Sequence, residues 1–162
     1  MAGKVLILMG SRSDADVMGE ASRTLSELGI PCTTTIASAH RSPGRTQKLA
    51  REAEGEGFSV IIAGAGAAAH LAGVVASETV LPVIGVPLAS SPLSGLDSLL
   101  STAQMPGGVP VATMAVGRAG AQNAAYLAAQ ILALSDAKLR KKLKDRRRQM
   151  AEAVAAAAEE VK

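Results

Sequence analysis

The feature that most limits what this chain can fold into is a repeated switch of period. Short apolar runs rich in branched side chains alternate with longer stretches whose apolar residues recur at helical spacing. Val5-Leu6-Ile7-Leu8-Met9 is continuous, as expected of a strand covered on both faces. Residues 14–28 follow, with Val17, Ala21, Leu25 and Leu28 on one helical stripe and Gly29 to stop it. The chain then reads as a strand over 33–36, a helix over 43–56 with Pro43 in its first turn, a strand over 60–63 and a helix over about 70–79. Further strands are expected at 83–86 and 111–114, and a helix over about 122–134. This order implies right-handed crossovers and a doubly wound parallel sheet between two helical layers, a three-layer αβα sandwich. Residues 1–135 make one α/β domain. Residues 136–162 form a helical tail with Leu139, Leu143, Met150, Val154 and Val161 along one stripe. A neighbouring subunit is the first expectation for what covers that stripe, and the parent domain is the other.

In an open parallel sheet the ligand lies in a crevice outside the carboxyl ends of the strands. Those ends read Gly10 to Asp14, Ser38 to Pro43, Gly64 to His70, Pro87 to Ser91, and Gly117 to Gly120. Both histidines of the chain, His40 and His70, fall in these segments, and Arg12 and Arg41 stand there beside hydroxyls. The first segment offers a glycine turn, Ser11, Arg12, Ser13 and an acid at a helix start, an arrangement that favours an anion. Asp14 has two readings, a helix N-cap or a holder of ribose hydroxyls. His40 is either structural or a proton donor and acceptor near neutral pH, and Arg41 suits phosphate or carboxylate.

Other chemistries fit less well. Gly64-Ala65-Gly66-Ala67-Ala68-Ala69 resembles a dinucleotide loop, but the next strand ends Gly85-Val86-Pro87-Leu88 with no acid for a ribose. No phosphate-loop lysine, serine nucleophile elbow or Cys/His cluster of metal spacing occurs in the sequence, so no cofactor and no metal are expected. Phe58 and Tyr126 are the only aromatic residues, which argues against nucleic-acid surfaces that stack bases. The net charge of +3 hides an asymmetry. Residues 1–137 carry 8 Lys/Arg against 10 Asp/Glu, and residues 138–162 carry 9 against 4. The basicity belongs to the tail, where a solvated helix face is the expected meaning. Cys32 is alone and reads as buried filler in a reducing compartment. Residues 60–77 lack a formal charge, but their glycines, alanines and His70 suit a strand, turn and helix better than a membrane span. The expectation is a cytoplasmic protein with no membrane partner. The 32 Ala and 16 Gly imply close backbone approach, and the Ala-rich helix after Gly117 is expected to let subunits pack closely.

Taken in order, several motifs carry a resemblance. They are Met9-Gly10-Ser11-Arg12-Ser13-Asp14, Ser38-Ala39-His40-Arg41-Ser42-Pro43, residues 63–71, Asp97-Ser98-Leu99-Leu100-Ser101 and residues 104–113. Over about residues 4–135 the chain resembles the class I PurE family, the N5-carboxyaminoimidazole ribonucleotide mutases. The resemblance implies a flavodoxin-like domain, a homo-octamer with shared active sites, and a phosphorylated ribonucleotide as substrate. It implies a carboxylate moved from the exocyclic nitrogen to C4 of the aminoimidazole ring, by decarboxylation and recarboxylation. Ser11, Ser13 and Arg41 would hold phosphate with Ser38 nearby, and Asp14 would hold ribose. His40 would be general acid and base, and Gly64, Ala65 and Gly66 would enclose the ring with His70 lining the site. The alternatives are the related class II carboxylase, which uses CO2 directly, and a non-catalytic nucleotide-binding module. The chain departs from the family pattern at Ala67, usually Gly, at Ala72, often Pro, and mildly at Ser42, usually Thr.

Overall fold

The computed structural model describes residues 3–161. Five parallel strands form one sheet: β1 (Lys4–Met9), β2 (Cys32–Ile36), β3 (Phe58–Gly66), β4 (Val83–Leu88) and β5 (Ala112–Thr113), in the order β2-β1-β3-β4-β5. The chain moves outward to β2 and then returns past β1 to β3, so the strand order reverses between β1 and β3. That switch opens a crevice at their carboxyl ends.

Among the described residues, six α-helices accompany the sheet: α1 (Ala15–Leu28), α2 (Pro43–Glu52), α3 (Leu71–Ala76), α4 (Leu96–Ala103), α5 (Arg118–Leu132) and α6 (Ala137–Glu160). The alternation of side chains along β1 divides the core in two. Val5, Ile7 and Met9 pack with α1 and α5, whereas Leu6 and Leu8 pack with α2 and α3. Both faces of the sheet are therefore covered, which is why β1 reads as an unbroken apolar run.

Five alanines of α5 have their explanation inside the domain. Ala121, Ala124, Ala125, Ala128 and Ala129 are fully buried inside this domain, against the sheet and α1. Small side chains bring α5 close to its own core.

Several boundaries also move. The strand expected at 60–63 runs on through Gly66, because Gly64, Ala65 and Gly66 pair in register with Val86, Pro87 and Leu88. Gly64 is required there: Met18 of α1 occupies the space a β-carbon would need. The uncharged run at 60–77 is thus divided between β3 and α3, and no helix among the described residues is long and apolar enough to cross a membrane. Helix α5 begins at Arg118, one turn before the apolar pattern announces it.

Helix α4 has no counterpart in the sequence pattern, because its amphipathicity is inverted. Ser98 and Thr102 are buried, whereas Leu96 and Leu100 are exposed. The Ser98 hydroxyl donates to the Leu88 and Gly95 carbonyls at 2.9 Å each, and Thr102 donates to Ser98 at 2.7 Å. Hydrogen bonds satisfy a face that apolar residues normally fill. Cys32 is half-buried on the edge strand, 3.6 Å from the Ser22 hydroxyl, and is not fully buried filler.

The tail is one helix, capped by Asp136, whose carboxylate accepts from the Lys138 and Leu139 amides at 2.9 and 3.0 Å. Its first turns are fastened to the body. Arg140 donates to the Ala133 and Leu134 carbonyls, and Lys142 to the Glu27 carbonyl. Beyond them, Met150, Val154 and Val161 are 56%, 71% and 88% exposed, so the parent domain covers only the proximal end of the stripe. Lys162 lies outside the described residues.

Candidate active site

The first segment of the site leaves β1 at Gly10. Ser11 is extended, and its hydroxyl accepts from the Ser13 amide at 3.4 Å, capping a short 3-10 turn over Arg12–Asp14. That turn runs directly into α1. Asp14 stands at the N-cap position of α1, yet its carboxylate makes no capping bond. It takes a hydrogen bond from the Ser13 hydroxyl at 3.3 Å and lines the crevice. Of the two sequence readings of Asp14, helix capping is therefore removed. The residue is buried, and burial pushes its carboxyl above the ordinary value of 3.8, against the Ser11 amide, the Ser13 hydroxyl and the Arg41 charge.

The second segment follows β2. Ser42 ties it into a tight turn, accepting from the Ser38 amide at 3.0 Å and donating to the Ser38 carbonyl at 3.2 Å. The Ser38 hydroxyl accepts from the Arg41 amide at 3.2 Å and from its Nε at 3.4 Å. Arg41 then reaches across to the first segment, where Nη2 donates to the Gly10 carbonyl at 2.7 Å. One guanidinium thus joins the two segments that carry the hydroxyls.

The two imidazoles meet. His40 Nε2 lies 2.8 Å from His70 Nδ1, with the rings edge to face at 79°. A contact of that length needs one nitrogen to donate and the other to accept, so a single proton lies between them. Both rings are exposed to solvent in the single chain.

The remaining wall is backbone. Ala65 and Gly66 end β3, Ala67 turns the chain with φ at 50°, and His70 leads into α3. Gly66 abuts Ser90, from the segment after β4, so closely that a β-carbon would collide with its hydroxyl.

Together these segments enclose a cavity of about 540 Å³. Of the expected residues, Ser11, Ser13, Asp14, Ser38, His40, Arg41, Ala65 and Gly66 line it. His70 adjoins it through His40, and Gly64 stands one step behind, its carbonyl accepting from the Gly10 amide at 3.2 Å. Leu71 and Ser90 also line the cavity and were not among the expected site residues. Ser90 had a signal, its place directly after a strand; Leu71 had none beyond following His70. Arg12 and the Gly117–Gly120 segment do not line the cavity. Among the described residues, no group of three or more His, Cys, Asp or Glu side chains is placed to hold a metal ion.

Comparisons with known proteins converge on one family. A family model described as AIR carboxylase matches residues 4–153. A Brucella melitensis protein named N5-carboxyaminoimidazole ribonucleotide mutase is 55% identical over 155 residues, covering 96% of each chain. An Escherichia coli K12 protein of the same name is 51% identical over 145 residues, covering 90% of this chain and 86% of the other. Among solved structures, Treponema denticola PurE superimposes with a TM-score of 0.89 at 28% identity, covering 98% of both chains.

Proposed function

The chain belongs to the AIR carboxylase family, and from that premise we propose how its cavity works. It catalyses the isomerase reaction of purine biosynthesis that moves the carboxylate of N5-carboxyaminoimidazole ribonucleotide to C4 of the ring, as its relatives are named for doing. The observation that carries the mechanism is the His40–His70 pair, one proton between two imidazoles, at the edge of a cavity otherwise lined by hydroxyls, one carboxylate, one guanidinium and backbone.

In this reading Ser11, Ser13 and Arg41 bind the phosphate with Ser38, and Asp14 accepts hydrogen bonds from the ribose hydroxyls. The aminoimidazole then extends toward His40 along Ala65 and Gly66. His40 donates a proton to the exocyclic nitrogen as its bond to the carboxylate breaks, releasing CO2. C4 attacks the CO2 carbon, forming the new carbon–carbon bond, and His40 removes the C4 proton. The imidazole ends in the protonation state in which it began. His70 orients His40 by accepting or donating through Nδ1. A placed acid–base group of this kind contributes about 10² to 10⁴ in rate.

Free CO2 must be kept from solvent until it recombines, yet both imidazoles are exposed in the single chain. We therefore assign closure of the site to neighbouring subunits of a homo-octamer, with the distal half of α6 packed on one of them. The exposure of Met150 and Val154 supports this, and removal of residues 135–162 is expected to reduce the assembled mass; an unchanged octamer refutes a role for the tail. A cytoplasmic location completes the proposal, and the lone Cys32 fits a reducing compartment.

The deciding assay gives purified protein N5-carboxyaminoimidazole ribonucleotide without ATP and follows the ring-carboxylated product. Turnover is expected. No turnover, with rapid consumption of aminoimidazole ribonucleotide and bicarbonate instead, would assign the direct carboxylase reaction.

A further inference from the structure

The turn that carries Ser11, Ser13 and Asp14 has little of its own to hold it in place. Its internal hydrogen bonds are long, at 3.2 to 3.4 Å, and α1 begins without a side-chain cap. Ala15 and Asp16 are exposed, and the first fully buried residue of α1 is Met18. Something outside the turn must fix the first turn of the helix.

Arg118 is placed to do so. It opens α5 on a rigid base: the Gly117 amide donates to the Pro87 carbonyl of β4 at 2.9 Å, and Gly120 lies against the Ala115 backbone with no room for a β-carbon. From there its guanidinium spans to α1. Nη2 bonds the Asp16 carboxylate and Nη1 bonds Glu20 Oε1 at 2.8 Å. Asp16 and Glu20 are four residues apart and share one helix face. Glu20 is nearly enclosed, its side chain 8% exposed, and also accepts from Gln122 at 3.1 Å and from Arg23 at 3.0 and 3.1 Å. These donors hold its carboxyl below the ordinary value of 4.5, the Gln122 amide foremost. A forked guanidinium can engage two carboxylates one turn apart; an ammonium cannot do so in the same geometry.

We propose that Arg118 is a positioning residue for substrate binding, pinning the first turn of α1 to the sheet so that Ser11, Ser13 and Asp14 keep the spacing that phosphate and ribose need. The proposal rests on the reading of those three residues given above. Arg118 touches neither the cavity nor His40. Its loss therefore acts on binding and leaves the proton chemistry alone.

Kinetics of the full chain test this. Arg118→Met is expected to raise KM, and the inhibition constant for ribose 5-phosphate, about 3- to 10-fold, with kcat within about two-fold; this is the scale of one ordinary hydrogen bond. Arg118→Lys is expected to recover part of the loss. Arg23→Met serves as the control. Arg23 bonds the same Glu20 but sits on α1 itself, so its loss is expected to leave KM unchanged at any cost in stability. If Arg118→Met does not fold, Asp16→Asn, exposed and without a direct bond to Glu20, is expected to raise KM about two-fold. An unchanged KM in the folded Arg118 variant, or in Asp16→Asn where that replaces it, overturns the proposal. So does an Arg23→Met effect as large as that of Arg118→Met. Failure of the wild-type chain to turn over the ribonucleotide counts against the proposed reaction, while ribose 5-phosphate binding still reads the clamp.

Discussion

The cavity has two walls built on different principles. One, from the segments after β1 and β2, is made of side chains: Ser11, Ser13, Asp14, Ser38, His40 and Arg41. The other, where β3 ends, presents Ala65, Gly66 and Ala68, with little beyond backbone. The first wall is tied together by side-chain hydrogen bonds, above all the span from Arg41 to the Gly10 carbonyl. The second is fixed by strand pairing with β4 and by the approach of Ser90 to Gly66. Function in the first wall resides in removable groups. In the second it resides in space, so adding atoms does the damage there.

Substitutions on opposite walls should therefore fail in opposite ways. His40→Asn removes the acid–base group and is expected to lower kcat by about 10² to 10⁴ while KM and the melting temperature stay near wild type. An exposed imidazole with one side-chain partner leaves no cavity behind. Gly66→Ala adds one methyl group that meets the Ser90 hydroxyl and comes within 3.1 Å of the Leu88 carbonyl. Rotation can move the Ser90 hydroxyl aside, but not the Ser90 Cβ at 2.8 Å or the Leu88 carbonyl of β4. The expected result is an overpacking penalty of about 1 to 3 kcal/mol, read as a lower melting temperature with kcat/KM down about 10-fold or more. A Gly66→Ala protein with normal stability and activity would show that the backbone wall has slack, and the contrast between the walls would collapse.

The same contrast explains what was legible in the sequence. Side-chain chemistry announces itself. His40, Arg41 and the serines stand in short segments directly after apolar runs, and the rule for open sheets singles out those segments from the sequence alone. Backbone chemistry does not. Gly64 and Gly66 read as a loop because glycine is rare within strands, although pairing with β4 keeps them in one. Helix α4 was silent because its buried face is Ser98 and Thr102, the reverse of the apolar pattern that marks a helix. The tail stripe was legible, but what covers Met150 and Val154 is not encoded within this domain. Arg118 was visible at a strand end, yet nothing local tells that its partners are Asp16 and Glu20, about a hundred residues earlier.

Asp14 sets function against stability within the side-chain wall. Burial raises its pKa, so the native state holds the proton to higher pH than the unfolded chain does. Stability then falls as pH rises through the window above 3.8, and the charged form carries that penalty at neutral pH. Asp14→Asn is expected to raise the melting temperature at pH 7 and to flatten its dependence on pH above the ordinary carboxylate range. It is also expected to raise KM about 10-fold, through loss of charged acceptors for the ribose. A variant that is less stable than wild type at pH 7 would mean that the Ser13 and Arg41 contacts outweigh burial.

The smallest effect belongs to Ala67, at the turn beyond the backbone wall. Its φ of 50° lies in the left-handed region, which costs an L-residue about 1 to 2 kcal/mol and glycine almost nothing. Ala67→Gly removes that strain but gives the unfolded chain more freedom, worth about 0.4 to 1 kcal/mol in the opposite direction. The midpoints leave a gain of about 0.8 kcal/mol, or roughly 2 to 3 °C in melting temperature for a domain of this size. Because Ala67 is exposed and does not line the cavity, kcat/KM is expected to stay within about two-fold of wild type. If instead the glycine variant melts earlier, the methyl group makes a contact absent from the single chain. The backbone wall would then be stiffened from outside, by the same neighbouring subunit proposed to close the site.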